Sequence, residues 1–343
     1  MSAPSTETAP TGTKQATSGE QPVPHRRGFA TGELIQRFGL IGLWLVVVVI
    51  YGAIEPDHFL RVSTLQTVFD SQTTLLFLAA ALLCTVIVGE FVDLSIAANL
   101  GLSATLLPIL AVNHGWNVWG AAAMAVVSST LVGTINGLLV VACRINTIVV
   151  TLGMSSLLLG IALWISDLTL VTGLDDSIAK IAITEFLGLP VTFWYGAVVM
   201  ALFAYVLSYT PLGTHLRFVG SNHEVARLAG VRVQRIRFGA FVAAGAFCGV
   251  GGVLSSAALG GFDPNTSQTY LMPVFAATYL GTAVILPGRF NPIGAWIGVY
   301  FLATGILGLQ LLGGTGWVAN VFYGGVLIIA VAASTYLGRR RAA

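Results

Sequence analysis

Charge is what this sequence has least of. Only 9% of its 343 residues are Asp, Glu, Lys or Arg, against 56% that are hydrophobic. A water-soluble domain carries roughly a quarter charged residues, so this chain is too poor in charge to cover itself for water. A mean hydropathy of +0.86 agrees. The net charge of +2 is too small to support a nucleic-acid partner. Cysteine is scarce too. Cys84, Cys143 and Cys248 lie in or beside apolar runs with no CxxC pair. That excludes a disulfide framework and a metal site, and the three are expected to be small buried hydrophobes. Also missing are a Gly-x-x-x-x-Gly-Lys-Ser/Thr phosphate loop, an HExxH pair and a Ser-His-Asp order. No catalysis and no cofactor are expected of this chain.

What the sequence does have is long apolar runs. A spanning helix needs about 20 mostly apolar residues. Runs and breakers give about ten candidates, near 38–54, 72–89, 94–112, 118–142, 147–166, 189–209, 238–259, 268–286, 293–312 and 317–337. The expected fold is an all-α polytopic membrane bundle. An even count puts both termini on one side. Arg26, Arg27, Arg37, Arg144, Arg217, Arg227, Arg232, Arg235, Arg237, Arg289 and Arg339 to Arg341 then fall together. Asp167, Asp175, Asp176, Glu185 and Asp263 fall on the other side, with Arg61 the one basic exception there. The positive-inside rule makes the Arg-rich side, and both termini, cytoplasmic. Residues 1–35 are rich in Ser, Thr, Pro and Gly and read as a disordered cytoplasmic tail, not a signal peptide. Residues 36–338 form the transmembrane domain.

Glycines at four-residue spacing, among them Gly133, Gly137, Gly245 and Gly249, suit close helix approach. Gly153 and Gly160 belong to the same set. Trp164, Trp194 and Trp317 sit near span ends and read as interfacial residues. Glu90 and Asp93 interrupt the second and third spans. Carboxylates are costly at bilayer depth, so the pair is read as a solvated turn or, with Asp93 at the N-cap, as a helix cap. Within the basic segment 210–237, Ser221 or Asn222 can cap a short helix, Glu224 falls in its first turn, and Gly230 can end it. Arg232, Arg235 and Arg237 follow as headgroup anchors. Such a helix is either a structured loop that touches nothing or a docking surface.

Four stretches, in order, resemble the permeases of ATP-binding-cassette (ABC) importers of the ribose, xylose and branched-chain amino acid type. Residues 219–231 resemble the family's Gly-x-Asn-x-x-Ala-Ala-Arg-x-x-Gly docking segment, through Ser221, Asn222, Glu224, Ala226, Arg227 and Gly230. Asp93-Leu94-Ser95 matches its Asp-Leu-Ser motif. Ile135 to Val140 with Thr151-Leu152-Gly153 resembles its central motif, and Tyr279 to Thr282 with Gly294 to Gly298 its late Gly-rich hairpin. Departures occur at Glu90, Phe91, His223, Val225 and residues 283–290.

The resemblance implies a multi-pass subunit of a bacterial cytoplasmic (inner) membrane that imports a sugar or similar small polar solute by alternating access. It implies a separate ABC ATPase docked at 210–237, a periplasmic or lipid-anchored solute-binding protein, and a second permease, identical or related. Membrane lipid is the remaining partner. Polar residues on apolar spans are the pathway candidates: Asn99, Ser103, Asn136, Thr151, Ser155 and Ser156. For each, a helix-to-helix hydrogen bond is the competing reading. The alternative function is a stand-alone secondary transporter or channel, which needs ion-coupling groups that the spans hardly contain.

Overall fold

The computed structural model describes residues 31–342. Most of the tail, with Arg26 and Arg27, therefore lies outside the described residues. Among the described residues, fifteen α-helices follow one another. They are α1 Thr31–Ile54, α2 Pro56–Phe59, α3 Val62–Ser71, α4 Thr73–Ile87, α5 Ile96–Pro108, α6 Val118–Gly137, α7 Thr147–Ile165, α8 Asp176–Ile183 and α9 Val191–Tyr209. Then come α10 Pro211–Ser221, α11 His223–Leu228, α12 Val233–Leu259, α13 Leu271–Leu280, α14 Pro292–Leu311 and α15 Gly316–Ala342. One turn of π-helix extends α5 through Asn113 and another extends α6 through Ala142.

Local chemistry sets the boundaries. Asn117 begins α6 by accepting from the Trp119 and Gly120 amides, and Asn146 begins α7 through Ile148. Asn291 does the same for α14, accepting from Gly294 N at 2.6 Å. Each satisfies backbone donors that the helix start leaves open.

Among the described residues, seven helical segments are long and apolar enough to cross a bilayer: Val62–Ile87, Ile96–Asn113, Val118–Ala142, Thr147–Ile165, Val191–Tyr209, Val233–Leu259 and Pro292–Leu311. Phe38–Ile54 and Gly316–Ala332 are shorter apolar helices. On α7 and α9 large apolar side chains such as Leu152, Leu157, Val198 and Leu202 face outward. A soluble surface does not tolerate such faces, and lipid does. The chain is an all-α, multi-pass membrane protein.

The expected span near 268–286 takes a different form. It breaks into a 3₁₀ segment Pro264–Tyr270, the ten-residue α13 and a second 3₁₀ turn Gly281–Ala283. Pro264 and Pro273 lack the amide donors of a continuous helix, and Gly281 abuts the start of α14 so closely that a Cβ would overlap Ala295. Cys143 also departs from expectation. It is exposed, because it follows the π turn and precedes Arg144, whose φ of 57° turns the chain.

The core centres on α12, which packs on α4, α5 and α6. Helix α12 lies close against α6 where Gly245 faces Gly133, and a Cβ on Gly245 would lie 3.0 Å from the Gly133 Cα. Gly153 and Gly160 instead face open space. The bundle has two chemically distinct ends. At one, β1 (Val171–Thr172) pairs antiparallel with β4 (Gly261–Phe262), and α8 packs Ile178 and Ala182 against α6 and α12. A second small pair, β2 (Glu185–Phe186) with β3 (Leu189–Pro190), lies beside α3, where Gln66 donates to Gly188 O. This end carries Asp175, Asp176, Glu185 and Asp263. The other end gathers residues 85–95, the start of α7, residues 210–237 and the turn at 281–290. It carries Arg217, Arg237 and Arg289.

Candidate functional site

The basic end is built around the turn between α4 and α5. Gly89 takes φ +93°, which a glycine adopts without strain. The turn then exposes its carbonyls and Glu90 to three other elements. His223 donates from Nε2 to Val88 O at 2.8 Å. Arg237, in the first turns of α12, donates from Nε to Glu90 Oε1 at 2.7 Å and pairs through its terminal nitrogen as well. Thr147, the first residue of α7, donates to Glu90 Oε2. Glu90 is only 6% exposed. A carboxylate so far from water needs such partners. The solvated-turn reading of Glu90 is therefore replaced by a buried hub joining α7, α12 and the α4–α5 turn.

Asp93 is buried as well, and Asp93 Oδ1 accepts from Ser95 N at 3.0 Å and Ser95 Oγ at 2.7 Å. Burial pushes its carboxyl above the ordinary value; the Ser95 donors pull the other way, and the Glu90 charge adds to the rise. Ser95, not Asp93, is the N-cap residue of α5, so Asp93 shapes the turn one step earlier. Leu94 packs on the main core.

Ser95 begins a polar seam. Ser95, Asn99 and Ser103 recur every four residues, so they stand on one face of α5 over about 12 Å. Ser95 Oγ accepts from Asn136 Nδ2 at 2.8 Å. Asn99 Nδ2 donates to Ser129 O at 3.1 Å, and Ser103 Oγ to Gly249 O at 2.9 Å. Ser129 Oγ donates to Gly245 O, so the seam ties α5, α6 and α12 together. Thr151 donates to Thr147 O and Val92 O, and Ser155 is buried one turn further along α7. Ser156 is exposed. Asn99 Oδ1 and Asn136 Oδ1 meet no donor among the described residues.

The 210–237 segment folds as two short helices, α10 and α11, followed by the start of α12. Thr210 caps α10, accepting from Gly213 N. Asn222 caps α11, accepting from Glu224 N at 2.9 Å and Val225 N at 3.1 Å, while Ser221 closes α10 by donating to Phe218 O. Gly230, with φ +82°, ends α11. The segment is seated on the α4–α5 turn. Ala226 is fully buried in a cluster with Val88, Val219, Val233 and Ala240. At Gly220 a Cβ would overlap the Ile87 carbonyl oxygen. The outward face of α11 carries Glu224 and Arg227, paired at 2.7 Å. It also carries Val225 and Leu228, the latter 83% exposed. Sequence reading noted Val225 only as a departure from the family pattern and passed over Leu228. Their signal was positional: with Ala226 inward on a six-residue helix, its neighbours at 225 and 228 must point out.

Three aromatic residues close the site on its remaining side. Tyr279 donates its hydroxyl to Phe91 O at 3.3 Å, and its ring meets Phe290 edge-on at 5.2 Å.

Comparison with known proteins places the chain. The sequence profile described as "Branched-chain amino acid transport system / permease component" matches residues 65–331. The L-arabinose ABC transporter permease protein AraH of Azospirillum brasilense is 29% identical, over 93% of this chain and 94% of its own. The Autoinducer 2 import system permease protein LsrC of Salmonella paratyphi B is 31% identical, over 84% and 83%. The Ribose import permease protein RbsC of Haemophilus influenzae is 26% identical, over 90% and 95%. No solved structure gives a significant match.

Proposed function

Because this chain belongs to the permease-component family of branched-chain amino acid transport systems, we propose that it is the membrane-spanning subunit of an ABC importer for a sugar-like solute. Relatives named for L-arabinose, autoinducer 2 and ribose support a small hydroxyl-rich cargo. The acceptor oxygens of Asn99 and Asn136 suit hydroxyl donors, and the α5–α6–α7 layer with Ser103, Thr151 and Ser155 is the proposed route.

The basic end faces the cytoplasm of a bacterial cell, as do both termini. Residues 36–338 are the transmembrane domain. Ten crossings result when the two shorter apolar helices and the broken segment around α13 are added to the seven long spans. A separate ATPase receives α11 in a cleft, with Val225 and Leu228 as apolar contacts and Glu224 and Arg227 at the rim. A solute-binding protein delivers cargo at the opposite end. A second permease, identical or related, completes the pathway.

Coupling then has a physical route. Closure of the ATPase displaces α10 and α11. Ala226, His223 and Gly220 carry that displacement into the α4–α5 turn. Glu90 passes it to α7 and α12 through Thr147 and Arg237. The bundle has two states, and the lever biases them. The observation that carries this reading is the direct seating of the 210–230 segment on the turn where the polar seam starts. Its test is Leu228→Asp, which should abolish uptake and ATPase co-purification with membrane insertion intact. Normal uptake by that variant, or uptake that persists under ATP depletion, contradicts it.

A further inference from the structure

The three arginines that follow α11 do different things. Arg237 turns inward to Glu90 and Arg232 is exposed. Arg235 stands at the mouth of a crevice of about 450 Å³ enclosed by α4, α9, α10 and α12. Ile87, Phe203, Leu212, Leu216, Gly239 and Phe247 are among its walls, and Arg235 is the one charged residue there. Along α12 the lining runs from Arg235 to Phe247, about 18 Å at the helical rise. The crevice therefore extends from the basic end into the depth of the spans.

We propose that this crevice binds an anionic phospholipid of the surrounding bilayer, with one acyl chain along α9 and α12 and the headgroup phosphate on Arg235. The inference rests on the chain being a membrane bundle and does not depend on the solute. Two observations point to this occupant. Apart from Arg235 and the Cys84 thiol the lining side chains are apolar, so the space suits hydrocarbon. And Arg235 has no acidic partner among the described residues. The carboxylates of this end are taken: Glu90 by Arg237, Glu224 by Arg227, and Asp93 buried against Ser95. Among the described residues no carboxylate is left for Arg235, and a lipid headgroup phosphate can supply the anion. Basic pockets between helices on the cytoplasmic side are where acidic headgroups bind. Leu212 and Leu216 place α10 on the same chain, so the lipid would sit between the coupling segment and α12.

The test uses the full-length protein, delipidated in mild detergent, with phosphatidylglycerol or phosphatidylcholine added, and bound lipid counted by native mass spectrometry. The protein should retain phosphatidylglycerol at least tenfold better. Arg235→Gln should remove that preference. Gly239→Phe, at a position where a Cβ meets nothing within 4 Å, should fill the crevice and reduce retention of both lipids. If Gly239→Phe does not give a monodisperse protein, Ala243→Leu fills the same space. Equal retention of the two lipids by the unaltered protein, or undiminished retention by the filled variant, overturns the proposal. So does a filled variant that loses self-association while keeping its lipid, since the crevice would then hold a second copy of this chain. Transport plays no part in the readout, so a failed importer reading leaves this result distinct.

Discussion

At the scale of single residues, Glu90 is the position where the sequence was most misleading. Composition marked it as an interruption, and interruptions are ordinarily solvated turns. Its partners, Thr147 and Arg237, are 57 and 147 residues away, and no periodicity reports a contact of that range. Removing one member of a buried pair strands the other charge. Glu90→Ala and Arg237→Ala should each destabilise the purified protein by about 3 kcal/mol, and the double variant by clearly less than the sum. Thermal denaturation of the four proteins in detergent checks this; simple additivity would mean that the pair is not coupled. Asp93 offers a sharper contrast. Asp93→Asn keeps the oxygen that accepts from Ser95 and removes a poorly solvated charge. It should preserve folding better than Asp93→Ala, and the reverse order would remove the assigned role.

At the scale of elements, most long helices were legible, but of their caps only Asn222 was among the residues named, and Asp93 was assigned a cap that falls to Ser95. Asn117, Asn146, Asn222 and Asn291 each stand before an apolar or amphipathic run and each accept backbone amides in the structure. The extent of α11 was readable from Asn222 and Gly230 alone. The break around α13 was not, because Pro273 lies inside an otherwise apolar run and membrane-spanning helices tolerate proline, so the run still read as one crossing. Nor was α8, whose short amphipathic face is hidden in a loop with many acidic residues. The coupling segment can be tested as an element. Asn222→Ala leaves the Glu224 and Val225 amides without their acceptor and should loosen α11 by about 1 kcal/mol. Uptake should fall in proportion while the spans stay inserted. Gly220→Ala acts at the seat instead, forcing α10 off the Ile87 carbonyl at a cost of about 2 kcal/mol. In a reconstituted complex it should leave ATP hydrolysis running with little uptake. Tight coupling in that variant would show that the contact carries no motion.

At the scale of the whole molecule, the separation of charge was visible in the sequence before any contact was known. Arg217, Arg237 and Arg289 lie far apart in the chain and meet at one end, with Asp175, Glu185 and Asp263 at the other. Threading a bilayer alternates the loops, and that topology alone groups them. The central claim is that α11 lies in the cytoplasm and is covered by the ATPase. The most direct measurement is labelling of a Leu228→Cys protein, in a Cys143→Ala background, with a membrane-impermeant maleimide. The account predicts no labelling in intact cells, strong labelling in inverted vesicles stripped of the ATPase, and protection when the ATPase is restored. Labelling from outside intact cells, or no protection by the ATPase, would contradict it.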